Sequence, residues 1–275
     1  VGSSRGNARA ELIAGFGVMV AIAARTRAQA LVLLPLAVLY CGIVGYRWRP
    51  AITWGALATA AAVLAIAPWT VRNARELHAF VPISTNGGAN LWIGNHDGAS
   101  GRMAIREAEP PQPERGDMTR GEFEAAADRL ALRLALRYIV THPVHELQLA
   151  GVKLRALYES DATALDWNAR FRDGYYGSDA AEEGLRKLAN GYWFAVLGMA
   201  GIGLVLSRSR LGGPAAALPL IALTWTVMHL AFFGDPRFHY PIVFTFTLMG
   251  ARGAVAVAEA LRRSASRMDE RALAA

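Results

Sequence analysis

Apolar side chains in this chain come in long runs separated by polar, arginine-bearing stretches, in place of the short alternations of a soluble domain. The first run has its core from Leu12, the second extends from Ala28 to Tyr46, and the third from about Ala51 to Trp69. A polar region from Thr70 to Lys187 separates these from three more, near Tyr192 to Leu206, Ala215 to Phe233 and Pro241 to Ala258. Crossing a bilayer takes about 20 apolar residues, so the pattern predicts an all-α polytopic membrane protein with about six segments. Residues 1–69 hold segments 1–3, 70–187 form an extracytoplasmic loop region, and 188–275 hold segments 4–6 with a basic cytoplasmic tail. The start of the chain also has the outline of a secretory signal, with Arg5 and Arg9, an apolar core and the small triplet Ala21-Ile22-Ala23. The second run follows almost at once, so the two read as membrane segments bent at Arg25-Thr26-Arg27, the first short or tilted.

Arginine placement orients these segments. With a cytoplasmic N-terminus, the inner ends carry Arg5 and Arg9, Arg47 and Arg49, Arg208 and Arg210, and Arg262, Arg263, Arg267 and Arg271. The short outer turns carry only Arg25, Arg27 and Arg237. This is the positive-inside bias, and it places both termini in the cytoplasm. The long polar region and the turn Gly234-Asp235-Pro236-Arg237-Phe238-His239-Tyr240 then share the outer side and can meet.

The stretch from Pro68 to Gly101 turns abruptly polar and glycine-rich, with Asn86, Asn90 and Asn95 supplying amides and Trp69 and Trp92 at headgroup level. It is predicted as a loop able to wrap a polar ligand. Gly101 to Gly116, rich in proline and charge, reads as a connector. Thr119 with Glu122 forms a capping box, opening an amphipathic helix with Phe123, Ala127, Leu130, Leu134 and Tyr138 on one face and Arg129, Arg133 and Arg137 on another. After a break at Thr141-His142-Pro143, a second helix aligns Leu147, Gly151, Leu154 and Tyr158, with Lys153 and Arg155 off that side. The pair either rests on the membrane surface, covers the loop or packs as a small extracytoplasmic domain.

Composition agrees with a membrane protein. Of the 275 residues 53% are hydrophobic, and the mean hydropathy is +0.24. The net charge of +7 sits at the ends of apolar runs, so it points to orientation and not to a nucleic-acid partner. The single Cys41 lies within an apolar run, which excludes a disulfide framework. His142 and His145 lack an evident third ligand, and no metal site or other cofactor is expected.

Four segments carry a family resemblance: PWTVRN, FVPISTNGGANLWIGN, ALRYIVTHPVHELQLAGVKLRALY and GDPRFHYPIV. Together they resemble the C-terminal half of bacterial membrane glycosyltransferases of the family-39, dolichyl-phosphate-mannose-protein mannosyltransferase-like group, which includes lipid A aminoarabinose transferases. TRAQALVLLPL is similar to the group's TRP-x-x-LLLP segment, with Ala28 where proline is usual. The resemblance implies a GT-C-like fold and inverting transfer of a hexosyl or pentosyl group. The donor would be a polyprenyl-phosphate-linked sugar, and the acceptor a hydroxyl of a lipid, glycan or protein outside the cytoplasm. It also implies that the catalytic base lies in an N-terminal half absent from this sequence, so the chain is read as a fragment whose catalytic residues are unassigned.

On that reading Arg237, Arg27, His239 and Tyr240 are the lipid-phosphate candidates, and Asn86, Asn90, Trp92 and Asn95 are the sugar or acceptor candidates. Arg25 is set beside Arg27 with headgroup contact as its plainer role, and Arg72 and Asn73 are assigned first to capping the preceding segment. The adjacent His96 and Asp97 are not taken as a catalytic dyad. Gly198, Gly201 and Gly203 are expected to permit close helix packing. The alternative is a non-catalytic membrane scaffold or a transporter subunit with a periplasmic domain. Transport is disfavoured because His229 stands nearly alone as an ionisable residue in the later segments.

Overall fold

The computed structural model describes residues 2–103, 109–172 and 175–273, with side chains described from 7 to 263 apart from 210. The topology arginines Arg5, Arg210, Arg267 and Arg271 therefore fall outside the described side chains, and part of the predicted connector, 104–108, lies outside the described residues. Ten α-helices form among those described: α1 Gly2–Thr26, α2 Leu33–Ile43, α3 Trp48–Leu77, α4 Gly87–Gly94, α5 Arg120–Thr141, α6 Pro143–Tyr158, α7 Thr163–Phe171, α8 Asp179–Ser207, α9 Ala217–Ala231 and α10 Val243–Leu273. No strand forms there beyond one isolated bridge between Arg102 and Gly234.

Five helical stretches are long and apolar enough to cross a membrane: Asn7–Thr26, Trp48–Leu77, Asp179–Ser207, Pro214–Ala231 and Pro236–Arg263. The expected second segment is different. Ala28–Val32 is a 3-10 turn leading into α2, and the 11 residues of α2 rise only about 17 Å, short of the hydrocarbon thickness. Gly45, at φ +91°, then turns the chain.

The chain forms two compact units, Val1–Ala156 with Thr226–Asp235, and Leu157–Trp225 with Pro236–Ala275. In the first, α1 and α3 meet along small residues: Ala21 and Ala24 on one side and Ala51, Ala58 and Ala62 on the other are buried. Gly17 sits directly against the Ala58 carbonyl, where any β-carbon would collide. Such close backbone approach is how helices associate in lipid, where apolar burial alone gives no preference for protein over acyl chain. Val20, Leu34 and Ile66 complete this core.

The stretch from Pro68 to Gly101, predicted as a loop, begins as a helix. α3 runs through Pro68 to Leu77 and ends at His78 in the left-handed conformation. Pro68 removes one amide donor, yet the rest of the ladder continues, since unwinding in an apolar surround would free many more backbone groups. The predicted Asn/Gly turn cluster is likewise helical, as α4. Two of its glycines serve close packing: Gly88 lies against the Asp128 carbonyl of α5, and Gly94 against the Phe232 carbonyl. Left-handed φ occurs instead at Gly98 and Gly101. Gly101 O accepts a hydrogen bond from Gly234 N at 2.9 Å, so the polar region does meet the first residue of the outer turn.

α5 starts with the predicted capping box. Glu122 N donates to Thr119 Oγ1 at 3.3 Å, and Thr119 N donates to Glu122 Oε2 at 2.9 Å.

In the second unit α8 packs on α10. Gly203 sits against the Met249 carbonyl, and Gly253 against the Met199 carbonyl, whereas Gly198 and Gly201 face open space. α8 begins at Asp179, well before the expected apolar boundary, because Ser178 Oγ caps it by accepting from Ala181 N at 3.2 Å.

Candidate functional site

Three polar side chains on the last turns of α3 fold the following segment back onto the helix. Trp69 Nε1 donates to Ile83 O at 2.9 Å, Thr70 Oγ1 to Pro82 O at 3.0 Å, and the buried Asn73 donates through Nδ2 to Val81 O at 3.1 Å and Ile83 O at 3.2 Å. Asn73 therefore pins the loop instead of capping the helix. The fold-back encloses a groove of about 470 Å³ lined by Leu31, Leu34, Ile66, Val71, Phe80 and Ile83 among other residues, almost all apolar. Its size is in the range of ligand clefts.

Positive charge gathers on the Trp69 indole, whose Nε1 holds the carbonyl of the groove-lining Ile83. The Arg25 and Arg72 guanidiniums lie over the Trp69 indole, 5.0 Å and 4.9 Å from its ring centre. Both arginines are exposed, and Arg72 also donates to Asn73 Oδ1 at 3.2 Å. The indole face orients each cation without neutralising it, which leaves guanidinium N–H groups for an anion. Arg27 is exposed at the start of the turn that carries Leu31 into the groove. Sequence reasoning ranked Arg27 above Arg25 and gave Arg72 a capping role. The Arg72 contact with Trp69 is local to one turn of α3, whereas the Arg25 contact joins α1 to α3 and has no local signature.

The four sugar or acceptor candidates separate into two environments. Asn86 is exposed ahead of α4, its Oδ1 accepting from Ser84 Oγ at 2.8 Å. Asn90 is half-buried within α4. Trp92 stacks on His96 with ring centres 5.0 Å apart, and its buried Nε1 has no hydrogen-bond partner among the described residues. Asn95 has no exposed surface: its Nδ2 donates to Leu91 O at 2.6 Å and Ala231 O at 2.8 Å, and its Oδ1 accepts from Lys153 Nζ at 2.7 Å. Its amide is spent inside the protein.

Lys153, placed by the sequence pattern away from the packed side of α6, is only 1% exposed. Its ammonium lies 3.4 Å from Glu146 Oε2, and Glu146 Oε1 is buried without a hydrogen-bond partner among the described residues. Burial pushes the Lys153 pKa down, opposed by the Glu146 charge and hydrogen bond. Nearby, the Tyr138 phenol lies 2.7 Å from His145 Nδ1. Burial and then the Asp97 and Glu146 carboxylates push its pKa up, keeping it a donor. Asp128 is a further missed residue: its Oδ1 accepts from Gly88 N at 2.7 Å and Ala89 N at 3.1 Å, placing a carboxylate at the N-terminus of α4.

The remaining candidates belong to the second unit. His239 is fully buried, with Nδ1 2.8 Å from Leu157 O and Nε2 3.1 Å from Asp161 Oδ1. Its ring stacks on Trp193 at 4.0 Å. With both nitrogens engaged, it serves packing in this arrangement and presents no donor to a phosphate. Arg237 is half-buried with its guanidinium 4.9 Å from the Phe238 ring centre, and Tyr240 is exposed. Trp225 Nε1 anchors the turn by donating to Phe238 O at 2.6 Å. Among the described residues no three His, Cys, Asp or Glu side chains are grouped to hold a metal.

Comparison with protein-family models, curated proteins and solved structures finds no match to this chain.

Proposed function

We propose that this chain is part of a GT-C-like membrane glycosyltransferase of the family-39 type, and that it binds the lipid-phosphate portion of a polyprenyl-phosphate-linked sugar. The observation that carries this reading is the apolar groove under residues 80–83, joined by the Trp69–Ile83 hydrogen bond to the indole over which Arg25 and Arg72 lie. An isoprenoid chain matches the apolar lining, and a phosphate matches two guanidiniums whose N–H groups remain available. The four resembling segments support the same reading by their order along the chain.

In the transfer, the acceptor hydroxyl oxygen forms a bond to the anomeric carbon as that carbon's bond to the phosphate oxygen breaks, with inversion. The electron pair leaves on the lipid phosphate, where arginine stabilises the developing charge. The hydroxyl proton passes to a carboxylate. Asn86, Asn90 and Trp92 on the loop side are the sugar-facing groups in this proposal. The setting is a bacterial inner membrane with the loop region outside the cytoplasm.

The test is photoaffinity mapping with a polyprenyl phosphate bearing a diazirine in its first isoprene units. Crosslinks at Leu31, Val71, Phe80 or Ile83, lost on competition with unlabelled polyprenyl phosphate, support the reading. Labelling scattered over the lipid-facing helices and insensitive to competitor refutes it.

A further inference from the structure

α5 and the start of α6 leave an apolar stripe in the open. Leu136 is 49% exposed, Val140 77%, Val144 72% and Leu147 76%, with Leu132 also exposed at the N-terminal side. On α5 the stripe follows the four-residue step of a helix face, at 132, 136 and 140. Side chains this large and this exposed in a row are rare on a surface that faces only water.

A second stripe runs beside it. Arg129, Arg133 and Arg137 repeat at the same four-residue step, Arg133 and Arg137 directly following Leu132 and Leu136 and Arg129 one turn before them, and all three are exposed. Each lacks a carboxylate partner among the described residues. The acidic residues of α5 are used elsewhere: Glu122 in the cap, Glu124 on Thr85, and Asp128 on the amides of α4. From Arg129 onward the open face of α5 is thus apolar and cationic only, and the acidic residues stand in the preceding turns, where Glu124 is exposed.

We infer that this face of α5, continued by Val144 and Leu147, docks on the surface of the protein's own bilayer and recognises anionic phospholipid. Valine and leucine enter the acyl boundary, and the arginine row lies at phosphate level, the arrangement of an interfacial helix. The bilayer is the occupant because the same unit carries α1 and α3, both long and apolar enough to cross it. The uniform positive charge of the row complements anionic headgroups. The device would hold α4, whose N-terminus is capped from α5 by Asp128, at a set height over the membrane.

The test labels V140C and L147C, in a C41S background, with an environment-sensitive fluorophore, using the full chain in vesicles of phosphatidylethanolamine and phosphatidylglycerol. D117C, at an exposed polar position, is the aqueous reference. Blue-shifted emission at 140 and 147 that is quenched several-fold by brominated acyl chains, with none at 117, is the expected result. The exposed triple variant R129Q/R133Q/R137Q should lower that quenching in phosphatidylglycerol vesicles and leave it unchanged in phosphatidylcholine alone. Water-like emission at 140 and 147 overturns the inference, as does a blue shift that brominated lipid fails to quench, which would mean the face is covered by protein. Equal quenching of the triple variant and the parent in both lipids overturns the anionic specificity.

Discussion

The Lys153 ammonium on α6 donates to the Asn95 amide oxygen at 2.7 Å, joining two residues that are both essentially without solvent exposure. Asn95 in turn donates to Ala231 O, so one lysine ties the end of α4 to the end of α9. Replacing it by methionine keeps the apolar stem but leaves a buried amide oxygen without a donor and a buried carboxylate without its cation. K153M is expected to lose about 3 kcal/mol, the scale for breaking one partner out of a buried charged pair. Thermal unfolding in detergent, followed by helical circular dichroism, should show the loss. A melting temperature equal to that of the parent would remove Lys153 from its place as a hub.

Glu122 provides a pH test outside the membrane. Hydrogen bonds from the Thr119 backbone and side chain hold its carboxyl below the usual carboxylate range. A depressed carboxylate contributes stability that is complete above its unfolded value and is lost as pH falls through its folded value. The start of α5 should therefore fray on acidification through and below the ordinary glutamate range, and not on raising the pH. Amide hydrogen exchange over residues 120–124 measures it. T119A should increase that exchange at neutral pH by the equivalent of about 1 kcal/mol, and equal protection in both proteins would contradict the cap.

Two adjacent glycines should respond in opposite ways. A β-carbon on Gly88 meets the Asp128 backbone at once, while one on Gly87 meets nothing within 4 Å. G88A should push α4 off α5 and lower stability by about 1–3 kcal/mol, as overpacking does, whereas G87A should be neutral or slightly stabilising. The same unfolding assay separates them, and similar effects from both would contradict the contact of α4 with α5.

Arg237, in the second unit, has its own test. R237A should leave membrane insertion intact and abolish sugar transfer in the full-length protein, read as product formed from a lipid-linked donor. Full activity would remove Arg237 from the lipid-phosphate candidates that the family resemblance suggests.

How much of this was legible in the sequence depended on how far apart the partners lie. The cap at Thr119 and Glu122 is complete within four residues and was readable as a motif. The long apolar helices were readable because each satisfies its own backbone in lipid. The end of α3 was misplaced because the chain turns polar after Trp69, whereas the helix runs on to Leu77 and uses Trp69, Thr70 and Asn73 to hold the following segment. α4 was hidden because the capping carboxylate comes from Asp128, 40 residues from Gly88. Lys153 looked like a surface residue because Asn95, which accepts its hydrogen bond, stands 58 residues away. The apolar face assigned to α6 was real as a pattern, but Leu147 and Leu154 are exposed, and Leu149, Lys153 and Ala156 are the packed side.

The central claim is that the groove beside Trp69 reads a phosphate attached to an isoprenoid chain, and affinity for polyprenyl phosphate against the matching polyprenol tests it most directly. Native mass spectrometry of the full chain in detergent should show the phosphate bound at least tenfold more tightly than the alcohol. R25Q/R72Q should erase that preference while leaving alcohol binding unchanged. Equal affinity for the two lipids in the parent protein, or a preference that survives R25Q/R72Q, would contradict the account.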